Sequence, residues 1–231
     1  MLEALRSEVF EANLELVRRG LVIYTFGNAS GIARGEGLIV IKPSGVPYEQ
    51  MTPADLVVTD LEGRVVEGRL RPSSDLATHA VLYRAFPTIG GVVHTHSRHA
   101  TAWAQARREI PCFGTTHADY FRGPVPVTEA LQAAEIADDY EANTGHAIVR
   151  RMGVEDPLAA SAALVAGHGP FCWGRSAREA AHMAAILEEL AAMATETLTI
   201  DALATPISGA LRDRHFFRKH GSTATYGQGG K

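Results

Sequence analysis

The first twenty residues carry apolar side chains at a helical period. Leu2, Leu5, Val9, Ala12 and Leu16 fall on one side, and Gly20 stands where the run should stop. Short apolar runs follow at residues 21–26 and 38–42; with the turn-rich stretch 31–37 between them, they read as two strands. Residues 56–60 and 64–67 flank Leu61-Glu62-Gly63 in the manner of a hairpin. Helical spacing returns over 75–86 through Leu76, Ala80, Tyr83 and Phe86, and the β-branched run 89–96 reads as a central strand. Beyond it the pattern predicts a helix over 98–107, a strand-and-loop stretch to 122, a helix over 128–140 and a buried strand at 162–166. Ser176 with Glu179 has the capping-box spacing and opens a long Ala/Leu helix, and a last helical turn spans 215–220, with Gly221 at its end. Strands and helices mixed at irregular spacing, with no repeat and no linker, predict one layered α/β domain over residues 1–231. The strand order is not readable from the pattern.

Composition narrows the picture. A chain of 231 residues with 46% hydrophobic and 21% charged positions can bury its own core. A formal charge of −4 and scattered basic residues argue against a nucleic-acid surface. The opening helix carries charges along its length, unlike a signal peptide, and no run has the apolar length of a membrane span. A soluble cytoplasmic protein with no nucleic-acid or membrane partner is expected, with Cys112 and Cys172 as reduced core thiols.

Candidate chemistry begins at Val92-Val93-His94-Thr95-His96-Ser97. Residues two apart in a strand point to one face, so His94 and His96 can converge on one ion. Taken alone that pair is a weak signal, but His168, bracketed by Gly167 and Gly169 after an apolar run, can swing from a bend into a cleft. Asp75 heads a predicted helix, where it reads equally as a cap or as a carboxylate ligand. Three imidazoles with a carboxylate suit zinc (Zn²⁺) or another divalent transition metal. Three separate loops, Gly27-Asn28-Ala29-Ser30, Lys42-Pro43-Ser44-Gly45 and Ser73-Ser74, offer hydroxyls and glycine-bend amides of the kind that hold phosphate. The segment Gly114-Thr115-Thr116-His117-Ala118-Asp119-Tyr120 contributes a candidate acid, Asp119, for which a plain turn role remains open.

Taken together, RPSSDLATH, VVHTHSRHAT, IPCFGTTHADYF, GHGPFCWG and HFFRKHGSTATYGQ resemble the L-ribulose-5-phosphate 4-epimerases of the class II aldolase family, along nearly the whole chain. Residues 150–160 match poorly, and the last three residues extend beyond the pattern. The resemblance implies a three-layer α/β/α domain with a central, largely antiparallel sheet, assembled as a cyclic homotetramer. It implies zinc on His94, His96 and His168, with Asp75 as fourth ligand. Substrate phosphate would lie on Gly27, Asn28, Ser44, Gly45, Ser73 and Ser74, with help from Lys42. Asp119 and Tyr226 would be the two acid/base groups, Tyr226 reaching in from a neighbouring subunit through a tail, about 221–231, ordered at that interface. Thr115, Glu141 and His215 would be supporting groups.

The reaction so implied converts L-ribulose 5-phosphate to D-xylulose 5-phosphate by retro-aldol cleavage, aldehyde rotation and re-addition, as in arabinose catabolism or another pentose phosphate route. Two alternatives stand beside it. An aldolase of the L-fuculose-phosphate type would stop at cleavage, but those enzymes carry Glu where Asp75 stands here. A non-catalytic protein with a structural metal is disfavoured, since structural zinc sites are closed and rich in Cys.

Overall fold

The computed structural model describes residues 2–153, 156–220 and 224. The opening amphipathic segment folds as helix α1, Glu3–Arg18, with Val9, Ala12, Asn13 and Leu16 buried along one side. Gly20, at φ 66°, takes the left-handed conformation that lets the chain leave the helix.

Seven strands build one sheet: β1 (Asn28–Ala33), β2 (Leu38–Ile41), β3 (Val57–Asp60), β4 (Val65–Glu67), β5 (Gly91–His94), β6 (Ala162–Leu164) and β7 (Pro170–Gly174). Their order is β4-β3-β2-β1-β5-β7-β6, and each neighbouring pair runs antiparallel. Strand alternation divides the side chains between two faces. Ala29, Val40, Val58, Val93 and Cys172 join the core under α1, α3 (Arg98–Gln105) and α7 (Ala177–Ile200). Ile39, Ile41, Val57, Val92, Phe171 and Trp173 face α2 (Leu76–Ala85) and α6 (Tyr140–Met152). A sheet buried on both faces gives the expected α/β/α layering. Two short helices, α4 (Thr115–Ala118) and α5 (Ala133–Ala137), and a C-terminal α8 (Gly209–His220) complete the described fold. Among the described residues no helix is long and apolar enough to cross a membrane.

Three departures from the hydrophobic pattern have physical causes. Residues 21–26 form no strand; Leu21 is buried, but Ile23, Tyr24 and Phe26 are exposed. The first strand is instead the small-residue segment of β1, which reads as the start of a turn. A Cβ on its Gly31 would sit 2.8 Å from Leu5 and 2.9 Å from Val9, so the small side chains are what let α1 lie against the sheet. The helix expected over 128–140 is displaced: α5 covers five residues of it, and the main helix α6 follows. Gly145 lowers the helical propensity of α6, yet it is required where α6 meets α2, because a Cβ there would stand 2.8 Å from Val81 Cβ. Strand β7, opened by proline and closed by glycine, carries no strand signature in the pattern, although it pairs with β5 along its length.

Candidate metal centre and active-site cleft

The centre begins at the end of β5. Asn28 of β1 lies opposite His94 in the sheet register, and Phe171 of β7 lies opposite it on the other side. Phe171 stacks on the His94 ring with centroids 4.2 Å apart, and His94 Nδ1 lies 3.0 Å from the Pro170 carbonyl oxygen. A carbonyl can only accept, so the ring proton sits on Nδ1 and the Nε2 lone pair faces away from the strand. His96 follows just past the strand end, with its Nε2 3.1 Å from that of His94. The turn beyond it is fixed by α7: the Glu188 carboxylate accepts the N–H groups of His99 (2.8 Å) and Ala100 (3.0 Å) in the first turn of α3.

His168 arrives from the β6–β7 hairpin. Gly167 takes φ 74° in that turn, and Val165 N–H donates to the Gly169 carbonyl at 2.9 Å. Gly169 lets the turn close on β5, since a Cβ there would stand 2.9 Å from the Thr95 carbonyl. One donor atom from each of His94, His96 and His168 lies within 4.8 Å of the others. Burial and the neighbouring histidines lower the His96 pKa, and they lower that of His168 to about 4. Neutral rings present lone pairs at neutral pH, so this donor set fits a divalent transition metal.

Asp75 stands beside the triad and not within that set of mutually close donors. It occupies the N-cap position of α2 but makes no capping bond; its Oδ2 accepts from Asn28 Nδ2 at 2.6 Å. Burial would raise its pKa, but the neighbouring His94 and His79 rings and the Asn28 bond outweigh burial and hold it below the usual carboxylate value. Asn28 Nδ2 also lies 3.1 Å from Ser73 Oγ, and its buried Oδ1 has no hydrogen-bond partner among the described residues.

The hydroxyl and glycine loops meet at the same place. Ser44 N–H donates to the Arg71 carbonyl (2.9 Å) and Ser73 N–H to that of Lys42 (3.0 Å), strapping the two loops together. Gly45 bends at φ 69°. Lys42, only 2% exposed, tucks beneath that bend: Nζ donates to the Val46 carbonyl at 3.0 Å and lies over the Tyr48 ring. Burial lowers its pKa. Gly27, at φ 77°, is pressed against the His94 carbonyl, where a Cβ would be 2.9 Å away. One cleft of about 400 Å³ is lined by Gly27, Asn28, Ser44, Gly45, Ser73, Ser74, Asp75 and the three histidines. Every metal and substrate-binding candidate from the sequence therefore lies in it. A larger hollow of about 720 Å³, lined by Phe121, Arg122 and Phe216 among others, holds none of them.

Asp119 lies outside this cleft. It ends α4 and is bound by α8: Oδ1 accepts from Arg218 Nε (3.1 Å) and pairs with His215 Nδ1 (3.0 Å), while Oδ2 accepts from Arg218 Nη2 (2.8 Å). Burial pushes its pKa up, but these bonds and the Lys219 charge hold it lower than usual. Tyr226 falls outside the described residues. Tyr140 and Glu141, at the start of α6, also line the cleft. The resemblance marks Glu141, but nothing in the residue pattern marks Tyr140.

Residues 7–195 match the model of the Class II Aldolase and Adducin N-terminal domain. The chain belongs to this family. Class II aldolases are typically dependent on a divalent metal, in keeping with the histidine triad. Among the family's members, the chain is 53% identical over 227 residues to an L-ribulose-5-phosphate 4-epimerase UlaF of Salmonella paratyphi B, spanning 98% of this chain and 100% of that protein. The protein of the same name from Salmonella typhi is also 53% identical over 227 residues, with the same coverage. Among solved structures, an L-fuculose 1-phosphate aldolase superposes with a TM-score of 0.78 at 24% identity, over 92% of this chain and 94% of that one, which bears on the fold alone. YgbL of Klebsiella pneumoniae, titled a putative aldolase/epimerase/decarboxylase, gives 0.73 at 27% identity over 93% and 99%.

Proposed function

We propose that this chain is a metal-dependent L-ribulose-5-phosphate 4-epimerase. The observation that carries the reading is the union, in one cleft, of a three-histidine donor set with hydroxyl and glycine loops suited to phosphate. The 53% identity to proteins of that name supports the choice of substrate.

In this reading His94, His96 and His168 hold zinc or another divalent metal, with the Asp75 carboxylate completing the set. When bound, the metal supplies Lewis acidity, stabilising negative charge that develops on substrate oxygens. Ser44, Gly45, Ser73 and Ser74 cradle the phosphate, flanked by Gly27 and Asn28, with the Lys42 charge beneath the loop. Removal of the C4 hydroxyl proton lets the C3–C4 bond break, giving the enediolate of dihydroxyacetone and glycolaldehyde phosphate. The aldehyde turns its other face, and the bond reforms with the proton returned to the C4 oxygen.

Inversion requires proton handling on both faces, hence two acid/base groups. Asp119 and Tyr226 take these roles. Because Asp119 does not line its own chain's cleft, both groups serve a neighbouring subunit's cleft in a homotetramer. The exposed Phe26 lines the cleft, and Ile23 and Tyr24, exposed just before it in the chain, add to an apolar contact for such a neighbour. The reading is of one domain over residues 1–231; the tail about 221–231, which carries Tyr226, lies outside the described residues except for 224. Free, buried Cys112 and Cys172 suit the cytoplasm.

An aldolase that stops at cleavage is the second reading, which the 27% identity to YgbL, titled a putative aldolase/epimerase/decarboxylase, leaves in play. Turnover of L-ribulose 5-phosphate, with and without prior chelation, separates the two. Metal-dependent D-xylulose 5-phosphate is the expected product. Cleavage of another sugar phosphate with no epimerisation by metal-loaded protein would overturn the epimerase reading.

A further inference from the structure

The start of α6 is held more firmly than a surface helix end requires. The Asp139 carboxylate accepts the Ala142 N–H at 3.1 Å, and Thr78 Oγ1 of α2 donates to the Glu141 carbonyl at 2.5 Å. Thr144 Oγ1 donates to the Tyr140 carbonyl at 2.9 Å, and Gly145 brings α6 against Val81. Tyr140, the first residue of the helix, is thereby aimed into the cleft, with its hydroxyl oxygen 3.2 Å from His168 Nδ1.

The ring of His168 has two nitrogens that point in diverging directions, and Tyr140 engages Nδ1. The nitrogen left for the centre is Nε2, which must be unprotonated to act as a ligand. A neutral imidazole then carries its proton on Nδ1, and the Tyr140 oxygen must accept it. His94 follows the same logic with a backbone carbonyl as acceptor. The difference is that a carbonyl ends the chain of donors, whereas a tyrosine still has a proton to give.

We propose that Tyr140 is a positioning residue for the metal centre: its oxygen fixes the tautomer and orientation of His168, and its own proton is turned toward a sugar oxygen in the cleft. The second half rests on the sugar-phosphate reading above; the first does not. Outer partners of ligating histidines characteristically carry roughly 10- to 100-fold of metal affinity or activity.

Tyr140→Phe keeps the ring and its packing while removing the oxygen. Competitive chelator titration should show metal bound about tenfold or more weakly than in wild type. Nitrogen NMR of His168 in the metal-free protein should show Nδ1 protonation falling in favour of the other tautomer. At saturating metal, kcat on L-ribulose 5-phosphate should also fall. A Tyr140→Phe protein with wild-type metal affinity and an unchanged His168 tautomer would overturn the proposal. If the wild-type protein itself fails to epimerise the sugar, the functional reading falls, while the chelator and NMR results still decide the role of Tyr140.

Discussion

The imidazole of His94 is held by three neighbours of different kinds: a carbonyl at Nδ1, the stacked face of Phe171, and the facing Nε2 of His96. None of these partners is near it in the chain except His96, yet the candidacy of His94 was readable because a histidine pair at a strand end has few structural uses. His168 was readable for a similar reason, since glycine on both sides of a histidine marks a bend. Tyr140 was not readable, because its role depends on where α6 starts, and the apolar pattern misplaces that start. Asp119 was legible as an acid, but the pattern does not foretell the Arg218, His215 and Lys219 groups gathered on it from α8. A carboxylate so held is a base at neutral pH and a poor proton donor. Asp119→Asn should therefore lower epimerase turnover by about 100- to 10,000-fold, the usual span for a general base. Metal content, measured on the same preparation, should stay at the wild-type level. Unchanged turnover would remove Asp119 from the acid/base role.

Among the elements, α2 does the most to organise the cleft. Its head carries Asp75, its first turn carries Thr78, which pins α6, and Val81 packs on Gly145. Long amphipathic segments such as α1 and α7 were legible in outline because packing and propensity agree there. Segments 28–33 and 140–152 were not, because tight approach between elements selects small residues, Gly31 and Gly145, that imitate turns or weaken the helical signal. The same fact gives a prediction. Gly145→Val would drive a branched side chain into Val81 and the Thr78 carbonyl, and overpacking of this kind costs about 1–3 kcal/mol, only partly offset by the roughly 0.3 kcal/mol by which valine is the better helix former. Urea unfolding should show a lower midpoint with an unchanged slope. A wild-type midpoint would mean that α2 and α6 separate more easily than their packing implies.

For the molecule as a whole, buried neutral histidines tie stability to pH. His117 donates from Nε2 to the Gly123 carbonyl at 2.9 Å, and burial lowers its pKa to about 4; His168 is lowered to a similar value. Both take up a proton near pH 6.5 when unfolded, so between pH 6.5 and about 4 the unfolded chain binds more protons than the folded one. Their contribution is whole above pH 6.5 and is lost as the pH falls toward 4. For the buried His117 alone the shift is worth on the order of 3 kcal/mol. Thermal melting of the metal-free protein should drop steeply across that window, and His117→Gln should flatten the slope. An unaltered slope in the variant would count against burial of a neutral ring.

The sheet order has one more consequence, for the time at which the cleft comes into being. Strand β5 sits between β1, from the beginning of the chain, and β7, from its last third. Asn28, His94 and Phe171 become neighbours only through those two pairings, and His168 enters with the second. Contacts this distant in sequence form late and slowly. A nascent chain that has emerged only as far as His96 has two of the three histidines and the walls that precede β5, but it lacks His168 and the β7 strand whose Phe171 ring and Pro170 carbonyl orient His94. Metal therefore cannot serve as the seed around which this protein folds; its uptake reports that both ends of the chain have already met.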